Sequence, residues 1–348
     1  MSKRILVAPL NWGLGHATRC IPIINQLITN GFTPVIASDG VALSLLNKEF
    51  PDLESIALPG YNITYAKKGQ HFKLKLLKDS PKLVKAIKAE KKATKQIITD
   101  YHIDGIISDN RLGVHSKKIP SVFITHQLQV LSGSTTWLST KMHQRIIKKF
   151  NECWVPDFKE EPSLSGKLGH VTDLEIPTKY MGALSRFSPS SLEKKYDILV
   201  LLSGPEPQRT LLEDKLLQAF KNDSRTILFV KGVIEAEQQV TQHNNLTIYN
   251  FMTGKELQTA INSSDLVLSR SGYTTVMDLS VLQKKAFFIP TPGQFEQEYL
   301  AKRLHDLKLV PYCKQDDFNL GLLENVAAYK GLSNFKNTTD LSPLFHLF

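Results

Sequence analysis

Eleven short apolar runs, many followed by a glycine- or hydroxyl-bearing turn and a helix-like stretch, limit this 348-residue chain to few architectures. In the first half Ile5–Ala8, Thr33–Ala37, Ile103–Ser108, Ser121–Thr125 and Glu152–Val155 read as strands, and His16–Thr29 and Val41–Phe50 as helices. The pattern then restarts. Strand-like runs Ile198–Leu202, Thr226–Val230, Leu246–Tyr249, Leu266–Leu268, Ala286–Ile289 and Leu309–Tyr312 alternate with helical patterns at Thr210–Phe220, Gly254–Asn262, Thr274–Gln283 and Phe295–His305. Short strands that are apolar throughout are buried on both faces, and intervening helices make the sheet parallel. Between the halves, Tyr180–Lys195 holds glycine, proline and several serines and reads as a linker. The expectation is α/β: two Rossmann-like, doubly wound domains, 1–185 and 186–348, facing an interdomain cleft. Ligands of such sheets bind at the carboxyl ends of strands, where helix N-termini point their amides at anions.

Composition narrows the function class. Hydrophobic content of 42% and charged content of 22% are those of a soluble globular protein. No apolar run is long enough to span a bilayer. The N-terminus leads straight into a strand rather than a signal peptide, so a cytoplasmic enzyme is expected. Cys20, Cys153 and Cys313 are odd in number and scattered, which suggests neither disulfides nor a zinc site. No two histidines show metal-ligand spacing, so neither metal nor cofactor is expected.

The net charge of +10 is uneven. Residues 1–190 carry 26 Lys+Arg against 15 Asp+Glu, while residues 191–348 carry 17 against 18. Lys67 to Lys95 alone hold eleven lysines and two acids, with leucines and isoleucines between them and Pro81 expected to split two helical pieces. Such a segment either lies on an anionic membrane or is a solvated face over a core-facing stripe. Phe72 is its single aromatic residue and no nucleic-acid motif accompanies it, so nucleic acid is not the expected partner.

Four turns carry chemistry. After the first strand come Gly13, Gly15, His16, Thr18 and Arg19. Two glycines allow a sharp turn and a close approach to a ligand, and His16 at a helix mouth can act as base. A dinucleotide fingerprint would need a third glycine where Thr18 stands, so that reading is set aside. Asp109 and His126 follow other strands and are further candidates for the base or for acceptor contact. In the second half, at a donor-side turn stiffened by Pro205 and Pro207, Gly204 allows a close approach and Arg209 can meet a phosphate. The richest stretch is Ser269, Arg270, Ser271, Gly272, Thr274, Thr275 and Asp278, then the Pro290 to Pro292 turn with Gln294, Glu296 and Gln297. Hydroxyls, amides and a cation at a helix start suit a diphosphate, and a carboxylate in the second turn suits the hydroxyl pair of a ribose.

The stretch Ser269–Asp278, the Pro290 to Pro292 turn and Gln297 followed by Ala301 resemble the C-terminal signature of glycosyltransferase family 28, the MurG-like enzymes of the GT-B superfamily. Gly13, Leu14, Gly15 and His16 resemble that family's N-terminal glycine-rich loop. The resemblance implies a GT-B fold, with a nucleotide-sugar donor held by the C-terminal domain and an acceptor met by the N-terminal one. It implies that Asp278 binds the ribose and Gln297 the donor sugar. The chain departs from the family at Ser203, Gly204, Pro205, Glu206 and Pro207, where the pattern is rich in glycine and serine, and it carries Arg19.

The expected activity is therefore an inverting, metal-independent transfer of a hexosyl group, N-acetylglucosaminyl foremost, from a UDP-sugar to a glycan or lipid-linked acceptor. His16 or Asp109 would serve as base, Arg270 and the amides near Gly272 would hold the diphosphate, and Gly13, Gly15 and Arg19 would lie on the acceptor or phosphate side. The enzyme would sit in the cytoplasm, at the inner face of the membrane. The pattern at Gly13 to Arg19 also resembles the nucleotide-sugar hydrolase of pseudaminic acid synthesis, and UDP-GlcNAc 2-epimerase is a more distant relative of the same fold. A non-catalytic lipid- or carbohydrate-binding protein is the alternative outside enzymes.

Overall fold

The computed structural model describes residues 2–61, 72–171, 174–233, 235–333, 335 and 340–348, and for 72–81 the helical backbone alone. The chain divides into two compact units. Among the described residues, the first runs to Arg186 and includes the C-terminal segment from Asp340, and the second runs from Phe187 to Phe335.

The first unit is built on β1 (Arg4–Pro9), β2 (Thr33–Ser38), β3 (Ser55–Ala57), β4 (Gly105–Asp109), β5 (Ser121–Ile124), β6 (Glu152–Val155) and β7 (Thr178–Tyr180). Every pairing is parallel, in the order β3-β2-β1-β4-β5-β6-β7. The helices are α1 (Gly15–Thr29), α2 (Gly40–Glu49), α3 (Phe72–Asp100) and α4 (Thr136–Ile147). From β1 the chain winds outward to β3, then returns to the other side of β1 with β4. This reversal opens a crevice at the carboxyl ends of β1 and β4. Leu6, Ala8, Val35, Ala37 and Ile106 pack one core beneath it.

The second unit contains β8 (Tyr196–Leu201), β9 (Ile227–Val230), β10 (Val240–His243), β11 (Leu246–Tyr249), β12 (Ser264–Ser269) and β13 (Lys285–Phe288). The order is β10-β11-β9-β8-β12-β13, and only β10 runs antiparallel to its neighbour. Its helices are α5 (Gln208–Phe220), α6 (Gly254–Asn262), α7 (Tyr273–Val281) and α8 (Phe295–Asp306). Here the winding reverses between β8 and β12.

Three expectations are corrected. First, Leu309–Tyr312 is not a strand: only Tyr312 bridges, to Phe288, and Pro311 lacks the N–H that a ladder needs. Second, α3 runs unbroken through Pro81, so the segment is one helix of 29 residues. Lys67 and Lys68 lie outside the described residues. From Lys82 to Lys95 the lysines are exposed, opposite buried Glu90, Thr94 and Ile97, which is the arrangement of a solvated face. Third, the C-terminal segment belongs to the first unit rather than the second. Phe345 and Phe348 pack edge-on or tilted against Phe32 and Trp154. A Cβ at Gly105 would collide with the Phe348 ring. Burying each phenylalanine contributes about 1.5–3 kcal/mol, enough to draw the tail back to the first sheet.

Candidate active site

In the first unit the crevice is lined from three strand ends. Leu10 N donates to Asp109 O at 2.9 Å, which ties the exit of β1 to the end of β4. Gly13 turns the chain with φ +70°, in a region costly for other residues, and a Cβ there would meet open space. The turn starts α1 at Gly15 and puts His16 and Arg19 one helical turn apart, on one face. Asp109 closes β4 and His126 follows β5.

These four side chains meet. Asp109 is fully buried. Arg19 donates to it twice, Nε to Oδ2 at 2.6 Å and Nη2 to Oδ1. His16 Nδ1 lies 3.0 Å from Asp109 Oδ1 and 2.8 Å from Arg19 Nη2. Arg19 Nη1 reaches His126 Nδ1 at 3.3 Å. Burial by itself raises the Asp109 pKa, but the Arg19 guanidinium and His16 hold it well below the usual carboxylate range. His16 is lowered, first by burial and then by Arg19, against the upward pull of Asp109. The cluster thus holds a carboxylate and a neutral imidazole side by side, and the His16 side chain keeps 14% exposure.

In the second unit the ends of β8, β12 and β13 lie together. Gly204 is exposed with φ +110°, and a Cβ on it would sit 3.6 Å from Thr291 Oγ1. Gly272 caps α7 and faces open space. Along α7 the side chains of Tyr273, Val276, Met277 and Leu279 are buried, while Thr274, Thr275 and Asp278 are half-buried. Thr274 and Asp278 are four residues apart, hence neighbours on that face. The first amides of α7 have no intrahelical acceptors, so hydroxyls, N–H groups and a carboxylate share one surface at the switch point.

Residues 207–337 match the glycosyltransferase family 28 C-terminal domain. An uncharacterised glycosyltransferase of Methanopyrus kandleri is 24% identical over 84% of both chains. The UDP-N-acetylglucosamine–N-acetylmuramyl-(pentapeptide) pyrophosphoryl-undecaprenol N-acetylglucosamine transferase of Haemophilus ducreyi is 22% identical, covering 94% of this chain and 89% of its own. The C-terminal part of this chain is thus similar to glycosyltransferase family 28. Acinetobacter baumannii MurG has the same fold at TM-score 0.59 and 14% identity, covering 94% of this chain and 92% of that one. Spinosyn forosaminyltransferase matches at TM-score 0.64 and 12% identity over 99% of both chains. The fold of this transferase is thus GT-B.

Several basic residues differ from their expected placement. Arg19 is 2% exposed and bound to Asp109, so its guanidinium is not presented to a phosphate. Arg209 is buried between Glu206 and Glu213 and also donates to Lys231 O at 3.2 Å. Arg270 is 1% exposed and donates to four acceptors: Ile289 O and Pro290 O at 3.1 Å, Gln208 O at 2.8 Å and Gln315 Oε1 at 2.7 Å. It ties together the loops around the open face instead of reaching into it, and burial pushes it down to about 10.

Ser269 Oγ donates to Arg270 O, and Ser271 Oγ to Gln297 O at 2.8 Å, so both hydroxyls serve the loops. Gln297 accepts from Thr291 N at 2.9 Å through its carbonyl oxygen, which leaves the amide end of the side chain for another partner. Gln294 precedes α8 without a side-chain cap, and Glu296 is half-buried in its first turn. Thr291 is the residue sequence reasoning passed over: it is buried, its Oγ1 is unpartnered, and it lies beside Gly204. Its signal was a hydroxyl inside a Pro-x-Pro turn. Among the described residues no group of three or more His, Cys, Asp or Glu is placed to hold a metal.

Proposed function

We propose that the protein transfers an N-acetylglucosaminyl group from UDP-GlcNAc to an acceptor hydroxyl, with inversion and without a metal. The observation that carries this reading is the open surface Gly272, Thr274, Thr275 and Asp278 at the winding reversal of the second unit. There the α7 amides would take the diphosphate and Asp278 would accept from the ribose hydroxyls. The acceptor oxygen would attack the anomeric carbon while its proton passes to His16. The bond from the anomeric carbon to the diphosphate oxygen breaks, and the amides and hydroxyls at α7 stabilise the departing charge. His16 suits the base better than Asp109, whose two oxygens already accept from Arg19.

We further propose a lipid-linked acceptor at an anionic membrane. Names of relatives that include pyrophosphoryl-undecaprenol support it, as does α4. This helix is held by its polar side chains: Thr136 Oγ1 accepts from Ser132 N, Thr140 Oγ1 from Val130 N, and Gln144 donates to Leu128 O. Trp137, Leu138 and Met142 therefore point outward, at 72%, 53% and 55% exposure, beside exposed Lys141 and Arg145. Among the described residues no helix is long and apolar enough to cross a membrane.

The test is a panel of nucleotide sugars, each incubated with and without lipid-linked acceptors. Acceptor-dependent UDP release with one donor supports transfer. Stoichiometric release of free sugar with no acceptor favours the hydrolase that the Gly13 to Arg19 pattern also resembles. No turnover and no binding of any nucleotide sugar would overturn both.

A further inference from the structure

We infer that Arg19 is a positioning residue that keeps His16 neutral and fixes its ring by neutralising Asp109. The inference rests on His16 being the base. One guanidinium contacts all three titratable partners: both oxygens of Asp109, His16 Nδ1 at 2.8 Å and His126 Nδ1 at 3.3 Å. Arg19 is 2% exposed and Asp109 fully buried, so water screens little of this field.

Without Arg19, His16 would face an uncompensated buried carboxylate 3.0 Å away. That pair would hold a proton on the imidazole and disable it as a base at neutral pH. With Arg19, the carboxylate is balanced and the cation's own charge opposes a second positive charge on the ring. His126 adds to that opposition and Asp109 works against it. Among the described residues, the charged groups that act most on His16 are Arg19 on its own helix, Asp109 at the end of β4, and His126 after β5. Arg19 and Asp109 compete for the same ring nitrogen. His16 Nδ1 either donates to Asp109 Oδ1 or accepts from Arg19 Nη2, and only the first leaves Nε2 free to take a proton.

The experiment is NMR titration of His16 in unliganded protein labelled at histidine, for wild type, Arg19→Gln and Arg19→Lys. Wild-type His16 should stay neutral through pH 7 and titrate below the ordinary histidine range. Arg19→Gln should move that titration up, and Arg19→Lys should restore part of the difference. In the pH profile of turnover the acidic limb should move up with it, whereas a purely structural loss would lower activity equally at all pH. If Arg19→Gln does not fold, the double variant Arg19→Gln/Asp109→Asn removes the buried pair together, and its His16 should titrate nearer the ordinary value. Wild-type His16 titrating at or above that value, or an unmoved titration in a folded variant, would overturn the inference. The titration needs no substrate, so its result is independent of whether transfer is found.

Discussion

Replacing Arg270 by methionine separates two roles for the most basic-looking residue of the donor motif. If Arg270 is a clasp for the surrounding loops, the variant loses four hydrogen bonds made by a buried cation. Hydrogen bonds to charged groups contribute about 1.5–3 kcal/mol each. Carbonyls at loop ends can recruit water, so counting two or three bonds at the lower figure gives about 3–4.5 kcal/mol. Methionine keeps much of the apolar stem, which limits the added packing loss. In a unit of this size each kcal/mol lowers Tm by about 2–4 °C, so the second unit should melt about 6–18 °C lower. Differential scanning calorimetry with and without UDP reads this directly. Affinity for UDP should fall only as far as the loops loosen, and saturating UDP should recover part of the midpoint. A variant that melts with wild type yet binds UDP more than about tenfold more weakly would refute the clasp and restore Arg270 as a phosphate ligand.

Two other predictions concern the first unit. Burial pushes His115 and His143 down to about 4, so both are neutral in the folded protein and charge more readily when unfolded. The unfolded chain then binds more protons between about pH 4 and the ordinary histidine value near 6.5, so stability falls as pH is lowered through that window. Urea midpoints at pH 7 and pH 5 check the sign, and a higher midpoint at pH 5 would contradict it. For α4, Lys141→Glu/Arg145→Glu and Trp137→Ser/Leu138→Ser should each weaken sedimentation with phosphatidylglycerol vesicles, at about 1 kcal/mol per charge removed near the surface. Equal loss from Lys85→Glu/Lys88→Glu in α3, with α4 variants unaffected, would move the contact to the lysine-rich helix.

The fold was legible where strands are central and buried. Ile5–Ala8, Thr33–Ala37, Glu152–Val155 and Leu266–Leu268 lie within or match observed strands because burial on both faces leaves a largely apolar run. The short edge strands β3, β7 and β10 left no such run; β10 is exposed at every residue. Helix α4 escaped notice because Trp137, Leu138 and Met142 face outward while Thr136, Thr140 and Gln144 hold its inner side, which inverts the usual pattern ahead of buried Ile147. His16, Asp109, Gly272 and Asp278 do lie at or just after strand ends, as the order of elements implied, since the winding rule depends only on strand order. The arginines were not legible in the same way. An arginine beside a glycine turn is the same letter whether it meets a phosphate, a buried carboxylate as at Arg19, or backbone carbonyls as at Arg270. Only the folded positions of Asp109 and Ile289 tell them apart.

The central claim is that α7 and Asp278 hold the nucleotide of the donor. Isothermal titration calorimetry of UDP against wild type and Asp278→Ala tests it most directly. Asp278 is half-buried on α7, and melting of the two proteins, measured in parallel, shows that the variant is folded at the titration temperature. Losing charged acceptance of the ribose hydroxyls, about 1.5–3 kcal/mol, should weaken UDP by about 10- to 150-fold. Equal affinity in the two proteins, or no UDP binding by wild type, would contradict the account.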